Sequence, residues 1–365
     1  MATLVRFRVM LLLAFCGVLL LAAVQPASAQ GESAVPFLLI APNSRASGMG
    51  ESGTGSVDDV SAVYWNPGAL AFMDGQEISI THANWLPAFG LSDLFYDHLN
   101  YRQRIDALGG TIGASVTYLS LGEFIITDSN SPTERGRFRS YEYAVTLGYA
   151  TLATQELGVG MNLRFIHSAL SPIGTEQEKG SGITSTVSVD LAAQWRPASI
   201  KELSVGLNLS NIGPKVTYVD AAQADPLPTN LRLGFGYKLL QDEYNELTYS
   251  LDFARLLVRR HEDGTSDGLP KSLLSAWDTG GGGLKKVIIS TGAEYWYGSP
   301  KLIALRIGYF YENPQFGNRK FLTFGAGIRY DMYGFDFSYI SAGTDHPLSD
   351  TIRFSLLIAW GGAGS

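Results

Sequence analysis

From residue 76 to residue 360 the apolar residues recur at every second position, in short windows separated by polar turns. In 111–118, Ile112, Ala114, Val116 and Tyr118 share one parity and Thr111, Gly113, Ser115 and Thr117 the other. In 140–150 the apolar side is Tyr141, Tyr143, Val145, Leu147 and Tyr149. Period two places alternate side chains on opposite faces of a strand. The pattern recurs at 76–84, 96–103, 157–165, 187–195, 203–209, 231–239 and 247–253, and again at 289–297, 303–311, 322–330, 333–339 and 352–360. That makes roughly fourteen strands, each near the length of a tilted membrane-spanning strand, and an even number suits a single-chain barrel.

The connections alternate between short and long. Short ones lie at 151–155, 197–201, 241–245, 298–300 and 331–332, and long polar ones at 119–139, 168–182, 211–228, 257–286, 312–319 and 342–350. Short periplasmic turns and longer outer loops are the habit of outer-membrane barrels. With a periplasmic N-terminus, every long loop falls outside. The expected fold is all-β: a transmembrane antiparallel up-and-down barrel of about fourteen strands over 76–361, preceded by an N-terminal plug segment at 30–75.

Charge placement tests this independently. Glu142, Arg164, Asp190, Arg232, Asp252, Glu294, Arg306, Arg329, Asp336 and Arg353 all fall inside strand windows, on the small, polar parity. A Lys or Arg facing lipid at mid-depth costs about 2–4 kcal/mol, whereas a lumenal charge can be paired or hydrated. The ten residues therefore read as a lumenal ion-pair network. Gly158, Gly160, Gly206, Gly234, Gly236, Gly308, Gly325 and Gly327 share their face and leave room for a plug or a narrow lumen.

Residues 1–29 read as a secretory signal: Arg6 and Arg8, an apolar run at 10–24, and Ala27-Ser28-Ala29 before Gln30. Cys16, the only cysteine, lies within it, so the mature chain holds no disulfide, thiolate ligand or Cys nucleophile. A formal charge of -7 with no basic stripe argues against nucleic acid as a partner. The segment 36–73 contains Gly48-x-Gly50-x-x-Gly53, but no helical pattern follows it, so a tight turn folding into the barrel mouth is expected, not a dinucleotide site. His82, His98, His167, His261 and His346 show no paired spacing, so no metal is expected; nor is a cofactor or a catalytic residue, there being no Gly-x-Ser-x-Gly elbow. Glu262, Asp263 and Asp267 read as a solvated run.

Trp85, Leu86, Phe89, Leu91, Leu94 and Phe95 cluster between the first two strands, and Phe124, Ile125 and Ile126 interrupt a polar loop. Such anchors suit outer-loop protein docking, with lipid-girdle or loop packing as the plainer alternative.

Arg45-Ala46-Ser47-Gly48-Met49-Gly50, followed by Asp58-Asp59-Val60-Ser61-Ala62-Val63-Tyr64-Trp65-Asn66-Pro67, resembles the FadL-like outer-membrane barrels. Further segments, among them Tyr118 to Glu123, Asn208 to Gly213, Pro228 to Gly234, Gly292 to Tyr297 and Gly317 to Lys320, extend the resemblance to the PorV/PorQ family of type IX secretion barrels. The resemblance implies a non-enzymatic outer-membrane protein that binds a SprA-type translocon and receives cargo bearing a C-terminal signal domain. It implies that the cargo then passes to a PorU-type sortase and attachment complex. The rival expectation is a FadL-like channel for hydrophobic small molecules.

Overall fold

The computed structural model describes residues 33–128, 131–172, 181–218, 223–261, 263–278, 283–343 and 346–361. The proposed signal at 1–29 lies outside the described residues, as does Glu262. The strands are β1 (Gln76–Asn84), β2 (Leu94–Ile105), β3 (Gly110–Asp128), β4 (Ser131–Leu152) and β5 (Leu157–Ser171). They continue as β6 (Gly182–Trp195), β7 (Leu203–Ile212), β8 (Asn230–Gln241), β9 (Asn245–Leu256) and β10 (Ile288–Tyr297). Last come β11 (Ile303–Tyr311), β12 (Lys320–Tyr330), β13 (Tyr333–Ala342) and β14 (Ile352–Trp360). Each pairs antiparallel with its sequence neighbours, and β1 pairs with β14, from Gln76 opposite Trp360 to Ala83 opposite Arg353. Closure removes the free edges that an open sheet would expose.

The alternation decides which face is which. Leu147, Leu163, Leu305 and Leu356 point outward and are more than half exposed, forming the band that faces lipid. The short-turn rim carries Trp195, Tyr244, Tyr297, Tyr330 and Tyr333 on its outer surface. Towards the long-loop rim, His82, Phe95, Tyr118, Tyr141, Tyr143 and His167 form a run of neighbouring rings 5.1 to 6.4 Å apart. Aromatic girdles at both edges of an apolar band are what membrane interfaces select.

Within the span expected as a loop at 119–139, residues 119–128 and 131–139 extend β3 and β4 instead. After a register shift between Ser120 and Glu123, where Gly122 has φ 88°, β3 and β4 remain paired to Asp128 and Ser131. Phe124 stacks on Phe138 at 5.5 Å, and Arg137 pairs with both Glu123 and Glu134. Above the membrane both faces of a hairpin are wet, so alternation disappears although pairing does not.

Residues 33–75 pass through the barrel interior from one rim to the other, and they begin at the long-loop rim. Ala34 N donates to the Pro226 carbonyl, and Val35, Phe37 and Leu38 pack on Ala83, Tyr96, Leu119 and Ile166 near that end. The chain then descends: Ser44 N to Ser355 Oγ, Gly50 N to Thr323 Oγ1, Asn162 Nδ2 to the Val63 carbonyl, and Thr111 Oγ1 to the Met73 carbonyl. It leaves at the short-turn rim, where β1 starts. The segment expected to lead in from a periplasmic N-terminus thus starts at the end of the barrel opposite the start of β1, and the alternation of short and long connections is unaffected.

Small wall residues admit this inner segment. Gly48 lies against Gly325, Met49 against Gly292, Gly50 against Gly308, Gly55 against Gly234, and Pro67 against Gly160. A side chain at Gly308 or Gly206 would overlap the inner backbone at Gly50 or Thr54. The Gly48-x-Gly50-x-x-Gly53 turn therefore sits within the lumen, not at the mouth, and Gly50 takes φ 70°, which suits glycine.

Candidate functional site

The inward parity of β10 to β13 builds a chain of charges. Glu294 Oε2 accepts from Arg306 Nε at 2.6 Å, Arg306 Nη1 donates to Asp336 Oδ1 at 2.8 Å, and Asp336 Oδ2 accepts from Arg329 Nη2 at 2.7 Å. Arg45, on the single helical turn Ser44–Ser47 of the inner segment, completes it. Its Nε and Nη2 donate to Glu294 at 2.8 and 2.6 Å, and its Nη1 to Asp59 at 2.9 Å and to Asp58. Trp296 faces the same space, with the Arg306 and Arg329 guanidiniums 5.4 and 5.1 Å from its ring centroid. A second group joins Arg164 to Asp190 at 2.7 Å, with Asn211 also accepting from Arg164. Desolvated charges persist only when paired and hydrogen-bonded, and here most of them are.

Four of the ten expected network members make no ion pair among the described residues. Asp252 instead accepts from the backbone amides of Gly53 and Thr54 at 3.0 and 2.8 Å. The Gly-rich turn thus presents its amides to an anion, but the anion is the barrel's own carboxylate. Glu142 accepts from Ser168 Oγ at 2.7 Å. Arg232 lies over the Trp65 ring at 4.9 Å. Arg353 is buried, and its Nε and Nη1 have no hydrogen-bond partner among the described residues. Parity tells which face a charge occupies but not its height or its partner, so these four were assignable to the lumen and no further.

Arg45, Asp58 and Asp59 escaped the strand-based reading because they lie outside any periodic window. A second missed pair, Glu77 and Arg102 at 2.9 Å, holds the inner segment as well, since Glu77 Oε2 also accepts from Val60 N. Asn66 caps the following turn, accepting from Gly68 N, and donates to the Thr54 and Ala193 carbonyls and to Gln194. Trp65 Nε1 donates to Asn43 Oδ1. Tyr64-Trp65-Asn66-Pro67 is in this way bonded on several sides.

The seven expected outer-loop residues do not form one surface. Phe89 and Leu91 are 59% and 54% exposed beyond β1. Trp85 and Leu86 turn inward and pack on buried residues at the mouth, Trp85 6.5 Å from Tyr96. Phe95 lies in β2, in the outer aromatic run, between His82 and Tyr118. Phe124 and Ile125 are exposed, but on the β3 extension. The loop between β9 and β10 contains the helical turn Ser272–Ser275. It is held by Asp267, which accepts from Lys271, Ser275 and His261. The hydrogen bonds from Lys271, Ser275 and His261 hold the Asp267 carboxyl well below the usual range. Among the described residues no group of three or more His, Cys, Asp or Glu is placed to hold a metal.

At the long-loop end, between the inner segment and β8 to β11, lies a cavity of about 500 Å³. Arg232, Arg255, Lys286, Arg319, Glu51 and Glu312 supply its charges. Burial would lower the Arg319 pKa, but the hydrogen bonds and charge of Glu312, at 2.8 and 3.1 Å, outweigh it and raise the value.

No curated protein matches the sequence. Among solved structures, the Ralstonia pickettii toluene transporter TbuX superposes with TM-score 0.52 at 12% identity, covering 88% of this chain and 98% of that one. A Pseudomonas aeruginosa FadL homologue gives 0.51 at 11% identity over 87% and 98%. The P. putida toluene transporter TodX gives 0.50 at 12% identity over 87% and 96%. At such identities the likeness shows the fold, a FadL-like outer-membrane barrel. The family described as type IX secretion system protein PorV matches residues 26–263, more than half of the chain. The chain belongs to the PorV family of type IX secretion proteins.

Proposed function

We propose that this barrel receives secreted cargo from a SprA-type translocon through the cargo's C-terminal signal domain and delivers it to a PorU-type attachment complex. The family match carries this reading. The exposed Phe89, Leu91, Phe124 and Ile125 at the long-loop rim supply apolar anchors of the kind that protein docking uses. The role is one of binding, without catalysis, and residues 33–75 act as a plug that keeps the lumen from becoming a pore. In a clean deletion strain, cargo is expected to accumulate in the periplasm, and the translocon is expected to co-purify with the tagged barrel. Wild-type surface display of cargo in the deletion strain would overturn the reading.

The toluene-transporter likeness supplies a rival, passage of hydrophobic small molecules. Against it stands the polar interior: Arg45, Glu294, Arg306 and Asp336 occupy the lumen that an apolar solute would cross. A neutral hydrocarbon crossing there would desolvate those charged groups and offer them no hydrogen bond in return, which raises the energy of that path.

Orientation gives an independent test. Ser33 lies at the long-loop rim and Asp106 in the short turn before β3. Because Cys16 is the only native cysteine, single Cys variants can be labelled cleanly. Ser33→Cys is expected to react with a membrane-impermeant maleimide on intact cells and Asp106→Cys only after the outer membrane is breached. The reverse pattern would invert the barrel.

A further inference from the structure

We propose that the upper edge of β6, residues 182–187, docks an extended segment of the cargo's C-terminal signal domain as an added strand. The proposal rests on the cargo reading above and gives it a contact. β6 rises above β7: their pairing ends at Val189 opposite Ile212, while β6 stays paired with β5 up to Gly182 opposite Ser171. Continuing the register would put Pro214 opposite Val187 and Val216 opposite Ser185. Pro214 has no N–H to give. Val216 has turned away, exchanging both of its backbone groups with Asp225 at 2.7 and 3.0 Å. Arg196 N donates to the Glu156 carbonyl, in register with Leu157 opposite Trp195. Even-numbered residues of β6 therefore bond toward β5 and odd-numbered ones toward the β7 side. Ile183 and Ser185 aim their amides and carbonyls, and Val187 its amide, at the side that β7 has left, with no backbone partner there among the described residues. The Val187 carbonyl lies against Gly213.

A row of main-chain donors and acceptors at strand spacing is matched by another strand, and docking of that kind draws its affinity from those bonds. Edges that must not pair are guarded by charge, and the β3–β4 extension is, by Glu123, Arg137 and Arg139. The β6 edge, Gly182-Ile183-Thr184-Ser185-Thr186-Val187, carries neither charge nor proline and is rich in β-branched residues. Ile183 and Val187 are exposed on the outward parity, and Thr184 and Thr186 take the inward one. A segment laid beside them should alternate apolar and polar residues in the same way. Height selects between partners. Ser185 is opposite His167, and Ile183 is in line with Tyr141 through Ala169, so the edge stands at the outer aromatic run, where water reaches the backbone. An edge that water can serve between encounters suits a protein that arrives and leaves. Lasting union with a neighbour in the membrane would instead suit the apolar band below, where an unpaired backbone group is costly.

The test is amide hydrogen exchange of the full barrel in a neutral detergent, read residue by residue, with the isolated C-terminal signal domain of one secreted cargo as probe. With the domain at about ten times its Kd, exchange at Ile183, Ser185 and Val187 is expected to slow about tenfold. Thr184 and Thr186, already bonded to β5, are expected to keep their rates. Ile183→Pro removes a donor from the free edge and none from the β5 ladder, and is expected to weaken binding about tenfold. Ile183→Thr is expected to bind as the unaltered barrel does. Both variants are checked for the folded barrel by its heat-dependent gel mobility, and the exchange pattern of the unaltered barrel decides alone if Ile183→Pro misfolds. Saturable binding with unchanged exchange at Ile183 and Ser185, or undiminished affinity in folded Ile183→Pro, would overturn the added strand and leave cargo transfer standing. Absence of any binding would overturn both. Protection of the same amides on raising the barrel concentration alone would make a second copy the occupant and overturn the assignment.

Discussion

A Gly308→Val barrel is expected to lose the seat of its inner segment while keeping its strands. A side chain at Gly308 would overlap Gly50 N and the Met49 carbonyl carbon, both main-chain atoms that cannot rotate away. Overpacking of this kind costs about 1–3 kcal/mol, more where backbone must move. Urea unfolding in lipid vesicles should report that loss, and single-channel conductance should rise as the inner segment disengages. Ala114→Val, on the outward parity of β3, adds two methyl groups toward lipid and is expected to leave both readings near wild type. The decisive arm combines the substitution with removal of residues 37–66. Deletion alone should open the pore; in that background Gly308→Val should cost almost nothing, because its clash partner is gone. If conductance is unchanged by the deletion, residues 33–75 are not a plug. If Gly308→Val is equally costly with and without them, its effect lies in the wall.

The strands could be read so closely because a barrel wall obeys one rule over its whole circumference: lipid outside, filled lumen inside. β1, β11 and β14 fall on the windows expected for them, with the same ends. The rule stops where its physical cause stops. Beyond Ser120 both faces of the β3–β4 hairpin meet water, and pairing continues through Glu123, Arg137 and Arg139 without any apolar alternation to betray it. Inside, the route of residues 33–75 is fixed largely by backbone donors and acceptors meeting wall side chains, as where Asp252 takes the amides of Gly53 and Thr54. Such bonds leave no periodic trace. The wall glycines were visible as a set, and their number on one parity left room for a plug or a narrow lumen without deciding between them. Which inner residue lies against which glycine depends on register and shear, and these are properties of the closed sheet. Trp85 and Phe95 show the same limit from the other side. Both were legible as exposed-looking aromatics near a loop, but the mouth of the barrel captures one and the outer girdle the other.

Arg306→Leu is expected to be among the most destabilising single substitutions in the wall. The Arg306 side chain has 0% exposure and bridges Glu294 at 2.6 Å and Asp336 at 2.8 Å. Truncating one partner of a buried charge group costs about 3–5 kcal/mol, because the remaining carboxylates lose a counter-charge without regaining water. Part of that loss is softened here, since Arg45 still holds Glu294 and Arg329 still holds Asp336. Arg329→Leu is the natural comparison: its side chain is 23% exposed, and water near the short-turn rim screens what it leaves behind, so about 1 kcal/mol is expected. Added salt should change the difference little at Arg306, where ions do not reach, and should shrink it at Arg329. The two residues share Asp336, so their effects should not add; the double variant leaves that carboxylate with no cation and should cost more than the sum. Strict additivity in urea unfolding of the four variants would mean that Asp336 does not couple them, and the chain of charges from Arg45 to Arg329 would then be a set of separate pairs.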